Sequence, residues 1–290
     1  MIFGIDVSAA QGVIDWARVA SEPCVSTHPR LRGLDLIPRF MIAKATEAQG
    51  YKDPQFARNI EGALRYGIRA AAYEFFWGHR DPVEQAVHFF DTAAHLVTTC
   101  PVLDFEGVWD AKNKRFADIA AIGAPAVLRN ARVFGEETEQ RWGRPLVVYT
   151  GPGWMDQFPA GDDLDWLAAR TLWVAHYTDG EPMVVKGWGH RWRAHQCDGG
   201  QRTFLPTKQP IDANVAEDTA WLEPHRDTDP APWDPTPPAL RLSPTEVPSL
   251  EQVLQELTEP PDTSEPTNPG TPTSKSSDRL RAVRPEEDPP

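Results

Sequence analysis

The residues of this chain best placed to do chemistry are acids at the ends of short apolar runs. Asp6 follows Phe-Gly-Ile, Asp104 and Glu106 close Pro-Val-Leu-Asp-Phe-Glu-Gly, and Asp212 lies in Pro-Ile-Asp-Ala-Asn. A carboxylate inside an apolar strand is costly to bury without partners, and three strands ending this way call for a common explanation. Residues two apart on a strand share a face, so Asp104 and Glu106 place their Cβ atoms roughly 6–7 Å apart. Two carboxyls at that spacing repel when both are ionised, so one pKa rises and that group keeps its proton near neutrality. A protonated acid beside an ionised partner suits glycosidic cleavage: one protonates the leaving oxygen, the other stabilises or attacks the cationic sugar carbon. Spacing alone leaves two other readings open, a strand end capped by solvent and a divalent-metal site. His79, His88, His95, His176, His190 and His195 are scattered along the chain, and neither a metal nor another cofactor is expected.

Such acids can act together only if distant stretches of chain bring them to one place. Strand-like segments run Ile2–Val7, Phe40–Thr46, Arg69–Phe76, Pro101–Phe105, Leu146–Thr150, Leu172–Tyr177, Trp192–Gln196 and Ile211–Ala213. Helical periodicity falls between them, over Asp53–Tyr66, Asp81–Leu96 and about Asp118–Trp142. The first two of these open with Asp-Pro, in which Asp caps and Pro takes the first helical position. Alternating strands and helices with β-rich apolar runs predict parallel strands covered by helices. Eight strands suit a small (β/α) barrel, a fold that runs from roughly 200 residues upward, with the last strands lacking full helices. No strand leads into a GxGxxG turn, which argues against a doubly wound dinucleotide fold. In a parallel barrel the site gathers at the C-terminal ends of the strands, where Asp6, Asp104, Glu106 and Asp212 fall. Trp77, Trp109, Trp154, Trp173 and Trp192, with Tyr73, Phe75, Tyr149 and Tyr177, fall at or just beyond the same ends. Aromatic planes pack against the C–H faces of sugars as readily as they fill cores.

Composition sets the limits. The 290 residues are 40% hydrophobic and carry 29 Lys+Arg against 42 Asp+Glu, a formal net charge of −13. That apolar share supports a core. The acidic balance argues against a nucleic-acid partner, which would need a basic stripe, and no apolar run reaches the ~18–20 residues that spanning a bilayer takes. Cys24, Cys100 and Cys197 are too few and too far apart for a disulfide framework and are expected as buried thiols. Of 29 prolines, 13 lie in residues 1–223 and 16 in residues 224–290. The folded body is therefore expected over 1–223, with 224–290 a Pro-rich, acidic, mostly disordered tail. Within that tail Leu250, Val253, Leu254 and Leu257 follow helical spacing, which suggests a short helix at 249–258.

Together these residues resemble the Chalaropsis-type lysozymes of glycoside hydrolase family 25, over about residues 2–215. Gly4-Ile5-Asp6-Val7-Ser8 with Gln11-Gly12 and Ile14-Asp15-Trp16 is similar to the family's opening strand and turn. Lys44-Ala45-Thr46-Glu47, Asp53, Phe56, Asn59, Ala63, Gly67 and Tyr73-x-Phe75 resemble its next block. Leu103-Asp104-Phe105-Glu106 is similar to the catalytic D-x-E, and Val148-Tyr149-Thr150 and Trp173-Val174-Ala175-x-Tyr177 to the strands that follow. The resemblance implies an irregular (β/α)8 TIM-like barrel that cuts the β-1,4 bond between N-acetylmuramic acid and N-acetylglucosamine in bacterial peptidoglycan. It implies Glu106 as general acid/base, and Asp104 as nucleophile or as the partner that orients the 2-acetamido group. Asp6 and Asp212 would flank them, with Tyr73, Phe75, Tyr149, Trp173, Tyr177 and Gln196 binding substrate. Three positions depart from the family pattern: Glu74 replaces a His, His195-Gln196-Cys197 replaces Trp-Gln-Tyr, and Val215-Ala216 replaces an aromatic after Asn214.

The corresponding functional expectation is a muramidase, as a phage lysin or a wall-degrading part of a phage particle. The alternative is a non-catalytic wall-binding or virion structural protein on the same barrel. Asp6 interrupts the first apolar run, so no secretory signal is expected, and the protein would reach the wall after release from the cytoplasm. Membrane insertion is not expected, and the sequence names no partner for the tail.

Overall fold

A computed structural model of the chain describes residues 1–223. The expected tail and its 249–258 helix lie outside the described residues. Eight strands, β1 (Ile2–Val7), β2 (Phe40–Glu47), β3 (Arg69–Phe75), β4 (Val102–Asp104), β5 (Val147–Thr150), β6 (Thr171–Ala175), β7 (Ala194–Phe204) and β8 (Pro210–Ala216), pair in sequence order. β1 pairs with both β2 and β8, which closes the sheet into a barrel. Seven helices are described: α1 (Trp16–Ser21), α2 (Phe56–Arg65), α3 (Pro82–Ala93), α4 (Ala117–Ile122), α5 (Ala124–Trp142), α6 (Pro152–Met155) and α7 (Asp162–Ala168). The result is a mixed α/β fold.

The barrel departs from eight regular β/α units at its closing edge. β1 to β7 run parallel, but β8 is antiparallel to both neighbours, Gln196 facing Asn214 on one side and Asp6 facing Asp212 on the other. The β6–β7 connection holds an isolated Val185–Gly189 bridge and no helix. A strand reached by a short connection cannot run parallel to its predecessor, because parallel pairing needs a crossover of a dozen or more residues. Two helix expectations also shift. The stretch expected as one helix to Trp142 is two, broken at Gly123 just before Pro125. Asp53 does not cap α2 at its first residue; α2 starts at Phe56, and Asp53 accepts from Ala9 N–H at 2.7 Å and Gln55 N–H at 2.8 Å, tying the loop after β1 to the start of α2. Asp81 caps α3 as expected, accepting from Val83 and Glu84 N–H. The three cysteines are free and buried.

Alternation along each strand sorts side chains into two cores. Outward residues such as Ile5, Met41, Ala43, Ala72, Leu103 and Val148 pack against the helices. Inward residues form a separate cluster that includes Ile42, Ala71, Val102, Val147, Trp173 and Ala194. Its floor is aromatic: Phe40, at the start of β2, meets Trp221 edge-on at 5.5 Å, and Trp221 leads to Trp173 and Tyr149 above. Below, the barrel is filled by this aromatic cluster.

Gly4 makes room for this floor. A Cβ there would lie 2.3 Å from the Phe40 ring, which is fully buried and has nowhere to move. Gly4→Ala is expected to destabilise the protein by about 1–3 kcal/mol, the usual cost of overpacking, read as a lower urea midpoint at unchanged slope. An unchanged midpoint would show that Phe40 can swing out of the lumen.

Candidate active site

Along the inward faces, side chains turn from apolar to acidic at the upper rim. Asp6 is the last inward residue of β1, Asp104 ends β4, and Asp212 faces Asp6 across the β1–β8 pair. Asp6 and Asp104 are each 7% exposed. Acids from β1, β4 and β8 are thereby brought to one place, with Glu106 just beyond β4. Their mutual influence is direct. Burial is the first cause that raises the Asp104 carboxyl, and the charge of Glu106 is the second. Burial, then the charge of Asp6, raises Glu106.

Asp6 is the best-held member. Gln196 Nε2 and Asn214 Nδ2 both donate to its Oδ2, at 2.9 and 2.7 Å. Each amide is oriented in turn. Trp173 Nε1–H donates to Asn214 Oδ1 at 2.8 Å, and the hydroxyls of Tyr149 and Tyr177 donate to Gln196 Oε1 at 2.7 and 3.1 Å. Burial raises the Asp6 carboxyl and these amides oppose the rise. Asp212 is pushed up to about 8 by burial and then by the charge of Asp6, and the two carboxyls hydrogen-bond to each other. Both carboxyls are raised, which favours a proton shared within the pair.

Asp104 is held differently. The Phe76 N–H donates to its carbonyl and the Phe105 N–H to the Tyr149 carbonyl, which fixes the strand end. Its side-chain Oδ1 has no hydrogen-bond partner among the described residues. A buried carboxyl oxygen left unmatched is costly and leaves an acceptor for a ligand. Glu106 lies half-buried one residue before Gly107, whose φ of 74° favours glycine. A Cβ on Gly107 would also lie 2.5 Å from Trp154. Asp118, fully buried in the first turn of α4, pins the same loop: its Oδ2 accepts from Val108 N–H at 2.8 Å, and its Oδ1 lies 2.5 Å from His79 Nδ1. The backbone carrying Glu106 is thus clamped from below and from the side.

The cation facing the acids is Lys44, on β2 opposite Tyr73 of β3. Its ammonium lies 4.7 Å from the centre of the Phe75 ring and pairs with Glu47 Oε2 at 2.5 Å. It pulls the pKa of both Asp104 and Glu106 down against the effect of burial.

Of the residues expected to bind substrate, Tyr73 and Phe75 lie partly exposed on the lumen face of β3, and the Tyr73 phenol is raised by burial and then by Asp104. Tyr177 stands 57% exposed at the rim. Tyr149, Trp173 and Gln196 are buried, and their polar atoms are engaged in the bonds that orient Asp6. Trp154 packs beneath Gly107 and Trp109 is exposed beyond Glu106. Glu74, at the position of the family's His, is fully buried on the opposite face of β3 from Tyr73 and Phe75, its carboxyl raised well above the usual range by burial. Sequence reasoning did not single out Lys44 or Asp118 as site residues. A lysine within the apolar run Phe-Met-Ile-Ala-Lys-Ala was a signal for the first. Nothing local marks the second, whose partners are 10 and 39 residues away.

The model of the glycosyl hydrolases of family 25 matches residues 5–203. Over 224 residues the chain is 28% identical to the uncharacterized protein YegX of Escherichia coli O6:H1, covering 75% of this chain and 70% of that protein. It is 29% identical to lysozyme M1 of Streptomyces globisporus over 189 residues, 63% of this chain and 58% of that protein. The crystal structure of the bacterial lysozyme from Streptomyces coelicolor superposes with a TM-score of 0.60 at 25% identity, covering 76% of this chain and 94% of that one.

The Asp6–Asp212 pair makes stability depend on pH. A carboxyl whose folded pKa is raised binds its proton more tightly folded than unfolded, so its contribution is full below the ordinary carboxylate range and is lost as pH rises toward 8. Asp212→Asn, which stays neutral, is expected to match wild type near pH 4 and to exceed it by on the order of 1–2 kcal/mol at pH 8, after allowing for the partial exposure of the site. Urea unfolding at the two pH values reads the difference. A stability gap of the same size at both would mean that Asp212 carries no extra proton.

Proposed function

The chain belongs to the glycosyl hydrolases of family 25, and from that membership we propose how its acids work. Its activity is that of a lysozyme, a glycoside hydrolase acting on peptidoglycan. The bond cut is the β-1,4 link from N-acetylmuramic acid to N-acetylglucosamine, and the rim of the barrel is the cleft. We take the barrel as an irregular (β/α)8 type and residues 1–223 as the catalytic body.

Glu106 is the general acid. It is raised by burial and by a neighbouring carboxylate, yet it is more exposed than Asp104 and so nearer an incoming glycosidic oxygen. It protonates that oxygen as the C–O bond breaks, and then takes a proton from the water that completes hydrolysis. Asp104 works at the anomeric carbon. Its unpartnered oxygen either attacks that carbon or accepts from the acetamido N–H of the sugar, whose carbonyl oxygen then attacks the anomeric carbon as the glycosidic C–O bond breaks. Lys44 and the positive charge growing at the anomeric carbon favour Asp104 ionised, which leaves the proton of the pair on Glu106 to be donated to the leaving oxygen. Asp6 and Asp212 line the cleft with one proton between them, which limits the negative charge there. Tyr73, Phe75 and Tyr177 face the sugar rings. Tyr149, Trp173 and Gln196 act through Asp6, which they orient. The biological setting we assign is wall degradation as a phage lysin or a virion-associated enzyme.

The observation that carries this reading is the meeting of acids from separated strands at one rim of a filled barrel. Glu106→Gln and Asp104→Asn are each expected to lower turnover on purified peptidoglycan by at least about 100-fold, the scale of positioned acid–base help. New reducing ends in the digest measure it. Wild-type rates in both variants would overturn the assignment, and an inert wild type would favour a wall-binding protein.

A further inference from the structure

Beside the acid cluster lies a pocket of about 640 Å³, lined by Glu47, Gln49, Gly50, Tyr51, Trp77 and Arg80 among others. It is formed where the chain turns back after β2. Ala48 takes a left-handed φ of 48°, a conformation that a non-glycine residue rarely adopts, and Tyr51 and Lys52 then pair with Glu47 and Thr46. His88 of α3 touches the Tyr51 carbonyl at 3.1 Å, holding this turn against the helix layer.

The pocket and the acids share Lys44. Its ammonium pairs with Glu47, which lines the pocket, lies 5.7 Å from the Tyr51 ring centre, and acts on Asp104 and Glu106. Lys44 and Glu47 therefore link this pocket to the acids. Glu47 is already committed, Oε2 to Lys44 and Oε1 to Trp77 Nε1–H at 3.1 Å. Arg80 is not: its guanidinium lies 5.7 Å from the Trp77 ring centre, and it makes no ion pair among the described residues. Two aromatic walls alone would suit a sugar face. A free guanidinium held on one of them asks for an anion, which a neutral N-acetyl sugar does not offer.

We propose that this pocket is a subsite for the acidic peptide carried on the lactyl group of the muramyl sugar, with Arg80 pairing a peptide carboxylate between Trp77 and Tyr51. The proposal rests on the lysozyme reading and adds that the enzyme reads the peptide as well as the glycan. Specificity for the charged form follows from geometry: an amide in place of the carboxylate leaves Arg80 without its anion.

Two measurements on the full chain test it. The first is calorimetric binding of a muramyl peptide monosaccharide, too short to be cut, with its peptide carboxylates either free or amidated. Wild type is expected to favour the free acid by about tenfold, the lower end of what a hydrogen bond between charged groups contributes. Arg80→Ala should bind both forms equally, and Arg80→Lys should recover part of the preference. The second is hydrolysis of matched tetrasaccharides bearing the two peptides, where Arg80→Ala should raise KM for the acidic substrate alone and leave kcat unchanged. Equal binding of both monosaccharides by wild type, or the same loss on both substrates in Arg80→Ala, overturns the subsite. Failure of wild type to cut either tetrasaccharide tells against the lysozyme reading, while the binding preference still decides the subsite.

Discussion

Crowding carboxyls into one low-dielectric rim is the constraint on which the rest of the structure depends. Four ionised acids there would repel one another, and burial would penalise each of them further. The site answers with protons, one cation and oriented amides. Asp212 and Asp6 are both raised against ionisation, Lys44 faces Asp104 and Glu106, and two side-chain amides donate to Asp6. Much of the surrounding architecture can be traced to that solution. Trp173 and Tyr149 fill the lumen and also fix the amides, so the core that closes the barrel is part of what sets the acidity of its rim.

The closing edge of the barrel serves the same end. An eighth strand running antiparallel places Asp212 opposite Asp6 and Asn214 opposite Gln196, across hydrogen-bonded strands rather than across an open lumen. A regular β/α unit at that position would run the strand the other way and bring a helix with it. Nor is Glu106 carried by a strand. It sits on a loop that Gly107, Trp154 and the buried Asp118 hold in one path. Loops positioned by rigid scaffolds commonly carry catalytic groups, and this one is pinned at the residue proposed to donate a proton.

Much of this was legible in the sequence, because strand alternation and apolar runs are local signals. All eight strands overlap the apolar runs that predict them, and the acids of β1 and β4 announce the rim. However, β7 runs on to Phe204, and Asp212 reaches the rim near the start of its antiparallel strand rather than at a C-terminal strand end. What escaped was set by contacts between distant residues. The antiparallel closing strand depends on the short link after Phe204, not on anything inside β8. The part played by Trp173 and Gln196 depends on neighbours 41 and 190 residues away, namely Asn214 and Asp6. Asp118 reads as an ordinary first-turn acid until His79 and Val108 are seen around it. Even the departure at Glu74 changes meaning with structure, since that side chain faces away from the lumen.

The central claim is that these acids share protons near neutrality. Infrared difference spectra between wild type and Asp104→Asn, followed over pH, measure it most directly. The account predicts a protonated-carboxyl band in wild type that persists well above the ordinary carboxylate range of about 4 and is reduced in the variant. Loss of that band in one step at the ordinary range, identical in both proteins, would contradict it.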